Sequence, residues 1–219
     1  MNKIENILFD LDGTLTDPRE GIVNSILYAL EKLGLHENSI AELLSFIGPP
    51  LRDSFANRYN LTNELADKAM NYYREYYSVK GIFENKIYPG VELLLQSLSS
   101  HKYKLYVATS KPTVYAIEVL RYFKIDTYFT EIIGSNLDNT RTDKTEIISH
   151  ILSTYGLQAG NSVMIGDRKH DIIGAKNNSV RTIGLSYGYG SSEELLTSEP
   201  DFLAKNCKEL ETLLIHTSI

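Results

Sequence analysis

The sequence predicts an α/β fold: a doubly wound (Rossmann-like) parallel sheet of about five strands with an inserted all-helical cap domain. From residue 86 onward, short apolar runs alternate with helical patterns, which is typical of βαβ units. Between residues 17 and 85, apolar residues instead recur at helical spacing and no run resembles a strand. We therefore expect an α/β core domain of residues 1–16 and 86–219 and a cap domain of residues 17–85.

The chain opens with a strand that ends in acidic residues. Residues 7–9 form a continuous apolar run, typical of a strand buried on both faces, and Asp10 follows directly. Residues two apart on a strand point to the same side, so Asp10 and Asp12 should converge beyond its carboxyl end, where open α/β sheets bind ligands. Asp12 and Gly13 also fit a simple turn after a strand, so this stretch alone leaves both interpretations open.

Four helices are predicted in the cap: residues 19–33, 40–46, 51–59 and a long helix from Leu65 through Tyr77 with Thr62 as its N-cap. The Ile-Gly-Pro-Pro stretch at 47–50 separates the second helix from the third. Arg52 opens the third helix, where free backbone N–H groups favour an anion. It is either an ordinary surface charge or a contact to the part of a substrate that the core does not bind.

The second half of the chain alternates regularly. The predicted strands are residues 104–108, 131–133, 162–165 and 181–185, and the predicted helices are residues 91–98, 114–123, 144–155, 171–177 and 207–215. With the first strand, this alternation predicts a doubly wound sheet.

Polar residues follow the second and third of these strands. Thr109 and Ser110 offer hydroxyl and backbone N–H groups that could hold phosphate oxygens, although Thr109 would also serve as a simple cap. Lys144 stands at a helix start, where it opposes the helix dipole and is better placed for an anion. As a lone lysine it could equally be a solvated surface charge.

A second acidic pair follows the buried strand 162–165. Gly166 and Asp167 come directly after it, and Asp171 follows four residues later. If this pair meets Asp10 and Asp12, the carboxylates form an oxygen cage suited to Mg²⁺, an ion that prefers hard oxygen ligands; no Cys or His lies near Asp10 and Asp12 in the sequence. The simpler alternative is a Gly-Asp turn with Asp171 as a helix N-cap.

Composition narrows the class of protein. The 22 basic and 28 acidic residues give a net charge of −6, which disfavours nucleic acid as a partner and suits a small-molecule enzyme. No stretch of about 18 apolar residues and no apolar leader occurs, so we expect no membrane partner and a cytoplasmic location. The single cysteine, Cys207, fits a reducing compartment. Oligomeric state is not indicated.

The chain resembles the haloacid dehalogenase-like (HAD) superfamily in four motifs, which occur in the order found in that family. The first is the Asp-x-Asp-Gly-Thr-Leu-Thr string, and the other three are the segments that contain Thr109, Lys144, and Asp167 with Asp171. This resemblance implies roles for the matching positions: nucleophile Asp10, general acid/base Asp12, phosphate-binding hydroxyl Thr109, phosphate-binding Lys144, and metal-side acids Asp167 and Asp171. Within the family the chain is most similar to phosphoglycolate phosphatase-like and nucleotidase-like members with a helical cap. Pro18 departs from the serine found in many relatives, which weakens the assignment to a subgroup.

The resemblance implies a Mg²⁺-dependent phosphatase that hydrolyses a small phosphate monoester through an aspartyl-phosphate. The related ion-pumping ATPases carry Thr where this chain has Asp12, so an acid/base here favours rapid hydrolysis. A phosphosugar mutase on the same scaffold remains an alternative. A receiver-like signalling phosphoacceptor is disfavoured, because such domains are about half this length and lack a helical insertion. A catalytically idle binding module is disfavoured because every candidate group is present.

Overall fold

The computed structural model describes residues 3–138 and 140–216 of the chain. These fall into two compact units, one formed by Met1–Asp17 with Ile87–Ile219 and the other by Pro18–Lys86. In the described part of the chain, no helix has the length and apolar character needed to cross a bilayer.

The first unit is built on a parallel sheet of six strands. In chain order the strands of the described residues are β1 (Asn6–Phe9), β2 (Thr16–Asp17), β3 (Lys86–Ile87), β4 (Lys104–Pro112), β5 (Glu131–Ser135), β6 (Ser162–Gly166), β7 (Arg181–Leu185) and β8 (Phe202–Ala204). The large sheet has the order β5-β4-β1-β6-β7-β8, whereas β2 and β3 form a separate two-stranded sheet. The chain therefore runs outward from β1 on one side and then returns to its other side, which makes β1 the switch point of the sheet.

The alternation of side chains along β1 fills both faces of this sheet. Leu8 joins a buried cluster that includes Tyr106 and Met164 from the neighbouring strands and Ile148 from the helix above them. Phe9 points to the opposite face, as the period of two requires, and its ring meets the Phe129 ring edge-on with centroids 6.4 Å apart. All four β1 residues are buried, as its continuous apolar run predicts.

Six helices accompany the sheet in the described residues: α5 (Val91–Ser100), α6 (Thr113–Tyr122), α7 (Lys144–Tyr155), α8 (Lys169–Asn177), α9 (Ser192–Ser198) and α10 (Cys207–His216). The α8 helix begins at Lys169, before Asp171, so the simpler alternative in which Asp171 is an N-cap does not hold. Arg168 occupies that position, and Asp171 at the third helical position accepts a hydrogen bond from the Arg168 backbone N–H at 3.1 Å.

The second unit is helical, with α1 (Arg19–Lys32), α2 (Ile40–Leu44), α3 (Leu51–Tyr59) and α4 (Asn63–Tyr76) followed by a π-helical turn at Tyr77–Gly81. Thr62 caps α4, as predicted, by accepting a hydrogen bond from Leu65 N at 3.4 Å. Its core contains aromatic rings in series, since Phe55 contacts Phe46 at 5.2 Å and Tyr73 at 6.5 Å between centroids. The unit thus has apolar packing of its own.

The predicted fold class is confirmed, with corrections in detail. The sheet has six strands rather than about five, because Phe202–Ala204 adds an edge strand too short for its pattern to stand out. The α9 helix was also absent from the prediction. The β4 strand continues four residues past the predicted end at Ala108, with an irregular register against β5 between Ala108 and Pro112. This extension carries side chains of the site described next.

Candidate active site

The carboxyl ends of β1, β4 and β6 lie together at one edge of the sheet. Parallel pairing aligns Phe9, the last residue of β1, with Val107 on one side and Ile165 on the other. Asp10 follows β1 immediately, and its backbone N–H donates to Ile165 O at 2.9 Å. The polar residues that end these three strands therefore meet at the switch point, the usual ligand position in an open α/β sheet.

Lys144, the first residue of α7, joins two of the acids. Its Nζ lies 2.7 Å from Asp10 Oδ1 and 2.5 Å from Asp171 Oδ1, and it donates to Ala108 O at 2.8 Å. Only 4% of its side chain is exposed, so it is not a solvated surface charge. Burial alone would lower the pKa of Lys144, but the charges of Asp10 and Asp171 raise it above its ordinary value. The lysine therefore stays positively charged at the centre of the site.

Asp167 is fully buried, and both of its carboxylate oxygens accept hydrogen bonds. Thr14 Oγ1 donates to Oδ1 at 3.1 Å, and the backbone N–H of Tyr189 donates to Oδ2 at 2.7 Å. Gly13 and Gly188 back directly onto this carboxylate, since a Cβ on either would lie 2.3 Å from Oδ2. Glycine is therefore required on both sides for the backbone to approach Asp167 so closely.

The segment 187–190, which we call the Tyr-Gly loop, holds this arrangement from the end of β7. The Tyr187 hydroxyl donates to Thr14 O at 2.7 Å, and the Tyr189 hydroxyl donates to the Asp17 carboxylate. Sequence reasoning missed this loop. The signal available was the alternation of Tyr and Gly directly after a predicted strand, at the edge of the sheet where the other motifs lie.

The acids at this edge fit a divalent cation. Asp10, Asp167 and Asp171 are buried, and one oxygen of each lies within 4.8 Å of the others. Burial, with the charges of its neighbours, raises the pKa of Asp167 to about 8, and burial raises that of Asp171 to about 6 although Lys144 opposes the change. When all three carboxylates are ionised, the one ammonium of Lys144 leaves an excess of two negative charges, which is the charge that Mg²⁺ would neutralise.

Asp12 lies apart from that cluster. Its Oδ2 forms an ion pair with the Nζ of Lys111, and its Oδ1 is buried without a hydrogen-bond partner in the described residues. Burial raises the pKa of Asp12 above its ordinary value, although the charge of Lys111 acts in the opposite direction. The structure thus places the Asp12 carboxylate beside Lys111, which the sequence did not single out, and its side chain is not among the grouped metal-side oxygens.

The two hydroxyl residues of β4 have different environments. Thr109 is buried, and its Oγ1 accepts a hydrogen bond from the Lys111 backbone N–H at 3.2 Å. The Ser110 hydroxyl donates to Thr142 O at 3.0 Å, which directs it toward the loop before α7. Alternation along the strand therefore puts Thr109 and Lys111 on one side and Ser110 on the other.

Arg52 belongs to the second unit, where neighbouring side chains hold its guanidinium. Its Nε donates to Asp67 Oδ1 at 2.6 Å, and its Nη2 donates to Asn63 Oδ1 at 3.3 Å. Both partners lie at the start of α4. These contacts join α3 to α4 and give Arg52 a structural role inside its own unit.

Comparison with known proteins identifies the family to which this chain belongs. Residues 7–185 match the family model of haloacid dehalogenase-like hydrolases. The chain is 48% identical over 209 residues to a 5′-nucleotidase from Pseudomonas aeruginosa, with 95% of each protein covered. It is 29% identical over 224 residues to a phosphoglycolate phosphatase from Vibrio cholerae, covering 98% of this chain and 99% of that protein.

A similar solved structure is that of a predicted phosphatase from Clostridium acetobutylicum. The two superpose with a TM-score of 0.95 at 41% identity, over 98% of this chain and all of the other. The family match covers most of this chain and includes Asp10, Lys144 and the acids after β6. The protein therefore belongs to the haloacid dehalogenase-like hydrolase family.

Proposed function

We propose that the protein hydrolyses a small phosphate monoester, with Mg²⁺ as its cofactor and an aspartyl-phosphate on Asp10 as the intermediate. The main support is the presence of two carboxylates, two residues apart, in different environments at one sheet edge. Asp10 pairs with Lys144 beside the acidic cluster, whereas Asp12 pairs with Lys111 and has a pKa that desolvation raises above its ordinary value. Such a difference suits one carboxylate to attack and the other to exchange protons.

In the first step, an Asp10 carboxylate oxygen attacks phosphorus while the bond from phosphorus to the ester oxygen breaks. Asp12 in its protonated form gives its proton to the leaving oxygen, which departs as an alcohol. Lys144 and the backbone N–H groups near Thr109 neutralise and orient the phosphoryl oxygens. Asp10, Asp167 and Asp171 would hold Mg²⁺, which supplies further positive charge to those oxygens.

In the second step, water attacks the phosphorus of the aspartyl-phosphate. Asp12, now ionised, takes a proton from that water, so each turnover returns it to its starting form. The bond between phosphorus and Asp10 breaks, inorganic phosphate leaves, and the Asp10 carboxylate is regenerated. Because one carboxylate serves both steps, it favours rapid breakdown of the phosphoenzyme and hence hydrolysis.

The similarity to a 5′-nucleotidase over nearly the full chain favours nucleoside 5′-monophosphates as the first substrates to test. The weaker similarity to a phosphoglycolate phosphatase makes 2-phosphoglycolate the second. The groups assigned above would contact only the phosphoryl group, so we assign selection of the rest of the substrate to the helical unit, acting as a cap. The single cysteine and the net charge of −6 support a cytoplasmic enzyme that does not bind nucleic acid.

The decisive experiment is a phosphate-release assay on a panel of nucleoside 5′-monophosphates, 2-phosphoglycolate and hexose phosphates, with Mg²⁺ or with excess chelator. We expect hydrolysis that the chelator abolishes and added Mg²⁺ restores, because the acidic cluster requires a cation to bind an anionic substrate. Full activity in excess chelator would contradict the proposed site. Conversion of a hexose phosphate to its isomer without phosphate release would instead identify a phosphosugar mutase.

A further inference from the structure

Lys111 is a buried lysine outside the proposed phosphate-binding set. Only 5% of its side chain is exposed, and its Nζ pairs with the Asp12 carboxylate, which is also largely buried. A buried ammonium is costly unless a counter-charge compensates it. The two lysines of this edge pair with different acids: Lys144 pairs with Asp10 and Asp171, and Lys111 pairs with Asp12.

The backbone that carries Lys111 is fixed by β5. A Cβ at Gly134 would lie 2.1 Å from Lys111 O, so glycine there allows the two strands to approach closely. The Thr113 hydroxyl accepts a hydrogen bond from Gly134 N at 2.9 Å, and Ser135 Oγ donates to Ser110 O at 2.8 Å. The irregular register between β4 and β5 spans this segment. Lys111 thus projects toward Asp12 from a well-defined backbone.

The pairing is asymmetric at the carboxylate. Asp12 Oδ2 is held by Lys111, whereas Asp12 Oδ1 is buried and has no hydrogen-bond partner in the described residues. A buried, unpaired carboxylate oxygen is unfavourable, so it is expected to interact with a ligand atom. We propose that Lys111 is a positioning residue, which holds Oδ2 so that Oδ1 faces the leaving-group oxygen. This proposal rests on the proposed function, because it assigns Asp12 the proton exchange.

A double-mutant cycle tests the proposal in the full-length protein loaded with Mg²⁺. The variants are Lys111→Met, Asp12→Ala and the double variant, assayed on the best nucleoside 5′-monophosphate. We expect Lys111→Met alone to lower kcat about 10- to 100-fold with KM changed less than about threefold, the range for loss of a hydrogen bond to a charged group. In the Asp12→Ala background, the same substitution should change kcat less than about threefold, because Lys111 then has no carboxylate to position.

Lys111→Arg provides the rescue control, since it keeps the positive charge and should recover part of the lost kcat. An equal loss of kcat in both backgrounds, or a loss confined to KM, would show that Lys111 acts on the substrate phosphate and would overturn the proposal. Melting temperature and circular dichroism are measured for every variant. If Lys111→Met does not fold, Lys111→Gln replaces it in the cycle. Wild-type hydrolysis in the same assay reports separately on the proposed function.

Discussion

At the scale of single residues, the carboxylates of the site differ in their partners. Lys144 Nζ lies 2.7 Å from Asp10 Oδ1 and 2.5 Å from Asp171 Oδ1, whereas the Asp167 carboxylate accepts hydrogen bonds from two uncharged donors, the Thr14 hydroxyl and the Tyr189 backbone N–H. Opposite charge favours the ionised form, whereas neutral donors compensate burial only partly. This difference explains why the pKa of Asp167, about 8, is higher than the pKa of Asp171, about 6.

Replacing Asp10, the proposed nucleophile, separates an effect on the reaction from an effect on folding. Asp10→Asn should lower turnover by about three orders of magnitude or more, because an amide oxygen does not attack phosphorus as a carboxylate does. The fold should persist, since Asn keeps the shape and Lys144 retains Asp171 and Ala108 O as partners. The measurements are phosphate release, circular dichroism and melting temperature.

Asp12→Ala is the matched comparison for that variant. After acid quenching of turnover with ³²P-labelled substrate, label should remain on Asp12→Ala and be absent from Asp10→Asn, because only the first variant keeps the attacking group. A rate near that of the wild type for Asp10→Asn, in a preparation cleared of contaminating phosphatase, would show that another residue is the nucleophile.

The sequence predicted the acids of this site better than the groups that orient them. Asp10 and Asp167 each follow a recognisable buried strand, so their positions follow from parallel-sheet geometry. Lys111 was missed because the predicted strand ended at Ala108, whereas β4 continues to Pro112. The alternation of side chains along the strand was therefore not used to place Lys111 on the same side as Thr109. Tyr189 was missed because it binds Asp167 through its backbone N–H, which every residue except proline possesses.

At the scale of structural elements, the Tyr-Gly loop and the turn after β1 enclose Asp167 from two sides. Gly13 and Gly188 contribute backbone without side chains where a Cβ would lie 2.3 Å from its carboxylate. The Tyr187 hydroxyl joins the two segments through Thr14 O at 2.7 Å. These contacts fix the orientation of Asp167, a ligand of the proposed metal site, and outer groups of this kind tune metal affinity.

Gly188→Ala should therefore weaken the metal site more than the fold. The added methyl group must displace either Asp167 or the loop, so we expect the Mg²⁺ concentration for half-maximal activity to rise about 10- to 100-fold. Magnesium titrations of activity and of melting temperature measure the effect. Ser186→Ala, at an exposed position two residues away, is the control and should behave as the wild type. An unchanged Mg²⁺ midpoint in Gly188→Ala would contradict this account of the loop.

The element-level prediction failed where segments are short. The β8 strand has three residues, too few for alternation to be recognised, and it exists because the edge of β7 is available for pairing. The α9 helix has seven residues but carries a readable start signal, since Ser191 accepts a hydrogen bond from Glu194 N at 3.0 Å. The longer helices and the buried strands were predictable because their periodicity extends over more residues.

At the scale of the whole molecule, the chemistry and the helical insertion occupy different units. The acids, Thr109 and Lys144 all belong to the unit that contains the parallel sheet, whereas Arg52 belongs to the helical unit. Arg52 pairs with Asp67 at 2.6 Å, a contact no sequence pattern indicated. Separation of this kind allows one catalytic site to serve different substrates as the second unit changes.

The acidic cluster also links metal binding to the stability of the whole protein. The folded-state pKa of Asp167 is about 8 and that of Asp171 about 6, whereas an unfolded aspartate titrates near 3.8. Between about pH 4 and about pH 8 the folded state therefore holds more protons than the unfolded state, and the free energy of unfolding falls as pH rises. In the proposed metal site, Mg²⁺ would bind the ionised carboxylates and should offset this loss.

We thus expect the melting temperature in chelator to fall between about pH 5 and about pH 8, and saturating Mg²⁺ to reduce or reverse that fall. His170 acts in the opposite direction, because burial lowers its pKa and its contribution to stability grows as pH rises toward about 6.5. Asp167→Asn tests the contribution of the acidic cluster. In this variant the melting temperature in chelator should fall less with pH and Mg²⁺ should stabilise the protein less, while the contribution of His170 stays the same. The two proteins are compared in chelator across this pH range. If the melting temperature of the wild type falls no more steeply with pH than that of Asp167→Asn, the buried acids are not the cause of the pH dependence.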